Sequence, residues 1–280
     1  MFQKKISWLL PVALLSALLS ALLTFYLYAC SQWISYASHT GDENMHLSAG
    51  LIKLKYGDYT MGAYQPPLIQ LMLALPSLRH ATPITFDHPS WRVNNWHIFG
   101  DVILYEQFPR ALTARLLTEA RWMGCLLGLG VTAFTFLWSR SLCGSLGAAL
   151  ACGLLLLDPN FIANVCSARI DVGGVAFSLL ALWSFFRLLH APALKTWSMF
   201  CIAFSLALLS RAYAILLLPF FALCLAIGWP SIAANWQAAP QRAALRCYGL
   251  PLAAASFFIL LMVVYQGELR PIMDHVPAEA

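Results

Sequence analysis

The run ISWLLPVALLSALLSALLTFYLY, residues 6–28, is followed a short distance on by GDENMH, residues 41–46. The first string is apolar and long enough to cross a bilayer as one helix. The second places two adjacent carboxylates, Asp42 and Glu43, just beyond its end. Met45, Ala49, Ile52 and Tyr56 then fall at spacings of four, three and four, one face of a second helix. Thr40 can cap that helix, the two acids suit its positive first turn, and Gly57 can end it. Taken alone, the acid pair fits a plain helix N-terminus at a membrane surface as well as it fits a reactive site. Upstream, Lys4 and Lys5 precede the apolar run, and no small-x-small cleavage site closes it, so it reads as a signal anchor.

The rest of the chain has the same character. Of 280 residues, 60% are hydrophobic and 10% charged. A soluble domain carries about 25% charged residues. Apolar runs recur at roughly 7–29, 121–138, 142–158, 172–189, 197–210, 212–229 and 248–265, which predicts an all-α, polytopic membrane helix bundle of about seven spans. The runs near 142 and 197 are short enough to be tilted or re-entrant. The whole of 1–280 is read as a single membrane domain, with residues 30–120 as a polar loop between the first and second spans. Within that loop, Pro66 to Leu75 is too short to span and reads as an interfacial helix, started by Pro67 and ended by Pro76. Trp91, Trp96, Tyr105 and Phe108 follow, residue types that favour the headgroup level. The net charge of +5 comes from basic residues scattered at segment ends, a topology signal rather than a nucleic-acid-binding one. The eight cysteines form no CxxC and no Cys/His cluster, so neither a disulfide framework nor a zinc site is read from their spacing.

Lys4 and Lys5 predict a cytoplasmic N-terminus. Alternating from there, the cytoplasmic segments hold Arg140, Arg187, Lys195, Arg242 and Arg246 and no acid. All twelve Asp and Glu residues fall on the outer side: 42, 43, 58, 87, 101, 106, 119, 158, 171, 268, 274 and 279. Acids contribute little to orientation, so their one-sidedness is a separate observation. It puts every candidate catalytic carboxylate on one membrane face.

Three features could carry chemistry. Asp42 and Glu43 could take a proton from an attacking hydroxyl. Asp171 opens a span, where an ionisable group is costly unless paired or functional. An N-cap paired with Arg169 is its plain structural alternative, and for Asp158, followed by Pro159, a turn-and-cap role is the better reading. Arg121 and Arg211 lie at membrane depth, and a guanidinium suits a phosphate through its planar fork of donors, although snorkelling at a span end would also explain either. The loop histidines His39, His46, His80, His88 and His97 show no HxxxH pair on a clear helix, so no metal site is read from them.

In order and spacing these motifs resemble the GT-C-fold glycosyltransferases that use polyprenyl-phosphate sugars, the protein O-mannosyltransferase and aminoarabinose-transferase group of glycosyltransferase family 39. That family shows an acidic pair in the first outer loop, here Asp42-Glu43, then a helix and a His-Pro-Pro-Leu-type segment, here Gln65-Pro66-Pro67-Leu68. An Ala-Arg opening of the second span is matched by Ala120-Arg121. A Pro-Asn turn with a later Asp is matched by Pro159-Asn160 and Asp171, and a Leu-Leu-Thr-Lys-like corner by Leu208-Leu209-Ser210-Arg211. Gln65 stands where the family usually has His, and Arg211 where it has Lys. Family members generally have eleven or more spans and a soluble C-terminal part, so this chain, which stops near the seventh span, reads as a fragment, a truncated reading frame or a minimal form.

The resemblance implies an inverting glycosyltransferase that moves a sugar from a polyprenyl-phosphate donor to a hydroxyl of a lipid, glycan or protein acceptor at the outer membrane face. Asp42 would be the general base, Glu43 would orient acceptor or backbone, and Asp171 would position the acceptor or an ion. Arg121 and Arg211 would hold the donor phosphate, Gln65, Pro66 and Pro67 would form a substrate loop, and the prenyl tail would lie beside the helix at Pro66–Leu75. No cofactor is fixed by this reading, though a divalent cation is compatible with it. The expected location is the plasma (inner) membrane. The alternatives are a transporter-like or non-catalytic polytopic protein and an inactive partial transferase. The first predicts ionisable groups near the midplane or broken helices in matching halves, and neither is seen in the sequence.

Overall fold

A computed structural model describes residues 2–80 and 82–265, with side chains from residue 13 onward. Lys4 and Lys5, which carry the expected orientation, and Glu268, Asp274 and Glu279 lie outside the described side chains. The described residues form eleven α-helices and no strand: α1 Phe2–Tyr36, α2 Gly41–Tyr56, α3 Leu68–Ala74, α4 Pro89–Arg92, α5 Trp96–Asp101, α6 Arg110–Leu156, α7 Pro159–Val165, α8 Asp171–His190, α9 Leu194–Ser210, α10 Leu217–Ala238 and α11 Arg242–Val264. The architecture is therefore an all-α polytopic membrane bundle. Segments Ala13–Tyr36, Arg110–Leu156, Asp171–His190, Ala212–Ala238 and Arg242–Val264 are long and apolar enough to cross a membrane, and Leu194–Ser210 is apolar but shorter.

Helix α6 is two antiparallel arms rather than one rod. Gly144 has φ 73° and ψ −175°, a region open essentially only to glycine. Across this break the Cys152 Sγ lies 3.6 Å from the carbonyl oxygen of Thr132, twenty residues earlier. On a straight helix those groups would stand about 30 Å apart. The arms, 110–143 and 145–156, correspond to the expected spans at 121–138 and 142–158. The first begins a full eleven residues sooner than its apolar run, because its first turns pack against the loop rather than lipid. Helix α1 likewise continues to Tyr36, so the loop proper runs 37–109 rather than 30–120.

The two ends of the bundle differ sharply. At one end α8 to α11 are tied by polar groups at their turns. Asn235 Nδ2 donates to Leu189 O (3.2 Å), Leu194 N–H to Gln241 Oε1 (2.8 Å) and Trp197 Nε1 to Gly249 O (2.7 Å). The loop covers the other end, where Tyr59 Oη donates to Val264 O at 2.7 Å, and every described acid sits there.

That cover is built around α2, which is buried from Glu43 to Lys53. Its ends are as expected: the Glu43 carboxylate reaches back to the Thr40 N–H at 2.8 Å, and Gly57, at φ 67°, ends the helix in the left-handed conformation. Close packing explains how a helix can be covered all round. A Cβ on Gly50 would collide with the Gln70 carbonyl and lie 2.7 Å from Ala74 Cβ, so α3 presses directly on the α2 backbone. This corrects the reading of Pro66–Leu75 as an interfacial helix. Ile69, Gln70, Leu73 and Ala74 of α3 are buried, and Ile69 packs against Gly173 of α8. The short apolar run is core because α2 and α8 clasp it from both sides.

Candidate functional site

Three acid–arginine pairs gather where the loop meets the bundle, and their environments separate their roles. The deepest is Glu43–Arg121, with side chains only 1% and 7% exposed. Arg121 Nε donates to Glu43 Oε1 at 2.8 Å and Nη2 to Oε2 at 3.0 Å, a fork-on-fork pair. Its other N–H groups reach Ile34 O (3.3 Å), Ala37 O (3.1 Å) and Ser38 O (3.1 Å). A guanidinium has five N–H donors, and all five are spent here within the chain. Glu43 also accepts the Ala168 N–H at 3.0 Å. Burial works against ionisation of Glu43, but the Arg121 bonds and the Ala168 and Thr40 N–H groups outweigh it and hold the carboxyl below its usual range. This pair cross-links the end of α1, the start of α2, α6 and the segment before α8. Arg121 has no donor left for a phosphate, and Glu43 has no oxygen free of a partner.

The other two pairs are open. Asp42 Oδ2 accepts from Nε (3.1 Å) and Nη2 of Arg169, with side chains 40% and 36% exposed. Asp171 Oδ1 accepts from Arg211 Nη2, while Arg211 Nη1 donates to Gln65 Oε1 at 3.2 Å. The structural alternative for Asp171 pairs it with Arg169. The fold pairs them otherwise, because Asp42 comes down from the loop onto Arg169 while the α9 corner brings Arg211 across to Asp171 on α8. Arg211 is pressed against α8 where Gly174 leaves room: a Cβ there would meet Arg211 Cγ at 2.6 Å and Tyr213 Oη at 3.1 Å. Its guanidinium also lies 5.3 Å from the Tyr213 ring centroid. One donor remains over, since the buried Arg211 Nε–H has no hydrogen-bond partner.

His46, one helical turn after Asp42, sits behind these pairs. It is 4% exposed, and its Nδ1 is 3.3 Å from Gln70 Nε2, which makes Nδ1 the acceptor and leaves the proton on Nε2. Burial lowers its pKa to about 4, and the charges it feels are Asp42, Arg211, Asp171 and Lys53. It is a neutral dipole beside two ion pairs. Asp42 is held below the usual carboxylate range first by the Arg169 hydrogen bonds and then by the Arg169 charge, against the effect of burial. So of the residues expected at the site, Asp42, Asp171, Arg211 and Gln65 come together, while Glu43 and Arg121 form the brace beneath them. Pro66 and Pro67 follow Gln65 and lead into α3. Sequence reasoning missed Arg169 and His46. Arg169 was legible as a charge beside a span, but not as Asp42's partner 127 residues away.

An apolar cavity of about 640 Å³, lined by Phe185, Trp197, Phe221 and Trp236 with Arg242 and Arg246, lies at the opposite end of α8–α11 and holds none of these groups.

An apolar helix bundle with carboxylates and guanidiniums gathered at one end is an integral membrane protein with a charged cluster at that end. Residues 108–247, half of the chain, match the dolichyl-phosphate-mannose-protein mannosyltransferase family. The chain belongs to that family and is a glycosyltransferase of the polyprenyl-phosphate-sugar, mannosyltransferase type. No curated protein and no solved structure matches it. The matched residues include Arg121, Arg169, Asp171 and Arg211, whereas Asp42, Glu43 and Gln65 precede them. Each of those three loop residues is bonded to an arginine inside the matched part.

Two outcomes follow from these environments. Arg121→Ala leaves Glu43 buried without its countercharge and should cost about 3–5 kcal/mol. Asp42→Asn, at a partly exposed pair, should cost about 1 kcal/mol or less. Thermal unfolding of the detergent-solubilised protein compares them, and equal shifts would refute the division of roles. The second concerns Lys53, which is 1% exposed and donates to Met61 O. Burial lowers its pKa to about 7, with Asp58 opposing. Between about pH 7 and the ordinary lysine range the unfolded chain holds a proton that the folded one has lost, so stability rises with pH. The unfolding temperature should climb from pH 7 to 9, and Lys53→Met should flatten that slope; an unchanged slope would contradict it.

Proposed function

We propose that the protein transfers a sugar from a polyprenyl-phosphate donor to a hydroxyl acceptor at the extracytoplasmic face, with inversion. The observation that carries this reading is the contrast among the three pairs. Arg121 is spent, whereas Arg211 and Arg169 face partly exposed carboxylates, and Arg211 keeps a buried N–H without an acceptor. A phosphate monoester or diester oxygen is the kind of partner that N–H lacks. Arg211 and Arg169 would take the donor phosphate, and in doing so would loosen their hold on Asp171 and Asp42. Arg169 thus joins Arg211 in the role expected of Arg121.

Asp42 would then serve as general base. The acceptor oxygen attacks the anomeric carbon while its proton passes to the Asp42 carboxylate, and the bond from that carbon to the phosphate oxygen breaks. The electron pair leaves with the polyprenyl phosphate, whose charge the arginines offset. Asp171 would orient the acceptor, and neutral His46 would support the carboxylates without competing for the proton. The prenyl tail would leave along Tyr213, Ile215 and Leu216, exposed apolar residues next to Arg211. It would not follow α3, which is buried.

In a reconstituted assay Asp42→Asn should lower turnover by roughly 10²–10⁴-fold, the range for loss of a general base, without weakening donor binding. Arg211→Ala should weaken donor binding more than Arg211→Lys, which keeps the charge and loses the fork. Full activity of Asp42→Asn would remove it as the base.

Orientation is tested by impermeant thiol labelling. Val93, 67% exposed in the loop, becomes a reporter as Val93→Cys, while native Cys143 and Cys247 are exposed at the far end. Intact cells should label position 93 alone, and permeabilised cells all three. The reverse pattern would place the site in the cytoplasm.

A further inference from the structure

Three cysteines that are far apart in sequence meet beneath the site. The sulfurs of Cys30, Cys125 and Cys166 all lie within 4.8 Å of one another, with Cys125 and Cys166 3.7 Å apart, and the three residues are 0%, 1% and 0% exposed. They come from the end of α1, the first arm of α6 and the residue after α7. Each lies within about one turn of a group in the Glu43–Arg121 brace: Cys30 precedes Ile34, Cys125 follows Arg121, and Cys166 precedes Ala168. The same three segments are therefore joined twice, once by the brace and once through a trio of thiols.

We propose that Cys30, Cys125 and Cys166 form a three-sulfur site for a soft metal ion of the Cu(I) type. The spacing suits it. With metal–sulfur bonds of about 2.3 Å, three sulfurs around one ion stand about 4 Å apart, so ligation needs little movement. The donor set decides the ion. Thiolates favour soft ions, and no His, Asp or Glu joins the cluster among the described residues to complete the four-coordinate shell that structural zinc takes. The nearby Tyr26 hydroxyl is already committed, donating to Cys125 O at 2.8 Å. Each thiol that ligates gives up its proton. With no opening to solvent, the bound ion would act as a structural tie holding α1, α6 and the segment before α8 under the brace.

The test uses the full chain, reduced and kept anaerobic in detergent, carrying Cys143→Ser and Cys247→Ser to remove the exposed thiols. Titration with Cu(I) should give a near-ultraviolet thiolate-to-metal band that saturates at one ion per chain, and copper-edge absorption should show three sulfur neighbours. Each of Cys30→Ser, Cys125→Ser and Cys166→Ser should remove the band or reduce the sulfur count, while Cys201→Ser should change neither. The copper-edge measurement needs no variant at the site, so a variant that fails to fold leaves the proposal testable. A band that survives Cys166→Ser with its sulfur count unchanged, fewer than three sulfur neighbours in the protein with all three cysteines, or no binding by the reduced protein would overturn it. So would chain isolated without reductant that lacks two free thiols and yields a Cys125–Cys166 cross-linked peptide, which would make the trio a disulfide site.

Discussion

The pair between Glu43 and Arg121 is the interaction on which the rest of the structure depends. A carboxylate and a guanidinium are taken almost wholly out of water, and every donor and acceptor they carry is matched. Such a pair adds little net stability by itself, since desolvation offsets most of the attraction. Its effect lies in what it forbids. Any arrangement that moves the end of α1, α2, the first arm of α6 or the segment before α8 out of register strands a charge in an apolar interior. Register at this end of the bundle is thus set by polar satisfaction, because the apolar surfaces of lipid-facing helices discriminate poorly among sliding partners.

The brace also explains why the adjacent acids differ. Asp42 and Glu43 are neighbours on the first turn of one helix, so their side chains point about 100° apart. That rotation carries Glu43 inward to Arg121 and Asp42 outward to Arg169, at 1% and 40% exposure. One residue is held rigid and saturated, and the other stays reachable on the edge of the same rigid body. The base role proposed for Asp42 draws on both conditions: a fixed position, and a partner that a ligand can replace. The fork of Arg211 shares that logic, with Gly174 giving it depth and Asp171 and Gln65 holding it from two sides.

The family places this geometry in a chemical context. A polyprenyl-phosphate sugar is amphipathic, so the proposed reaction calls for a site where an apolar bundle meets a polar cover. The described acids lie at that boundary, and the opposite end, tied by amide and indole hydrogen bonds to carbonyls, carries basic residues instead. The two ends of the bundle thus differ in charge, as the proposed site requires.

Composition and the repeated apolar runs determined the class, the helical content and the segment order, because in lipid each span must satisfy its own backbone and so announces itself locally. The α2 caps, Thr40 and Gly57, and the acids after the first span were legible for the same reason: their signals lie within a few residues. The sequence also named Asp42, Asp171, Gln65 and Arg211. It could not assign partners. Whether Arg121 met a phosphate or Glu43, whether Arg169 paired with Asp171 or Asp42, and whether Pro66–Leu75 lay on the surface or in the core all depended on contacts dozens of residues away. The cysteine trio joins positions 95 and 41 residues apart, and no spacing rule sees it. The reversal at Gly144 is local, yet its meaning is not, since a glycine inside an apolar run reads alike in a straight helix and in a hairpin. Local signals settle what each segment is. Which side chains meet is settled by close packing and by the cost of leaving a buried charge or donor unpaired, and both exist only once the chain is folded.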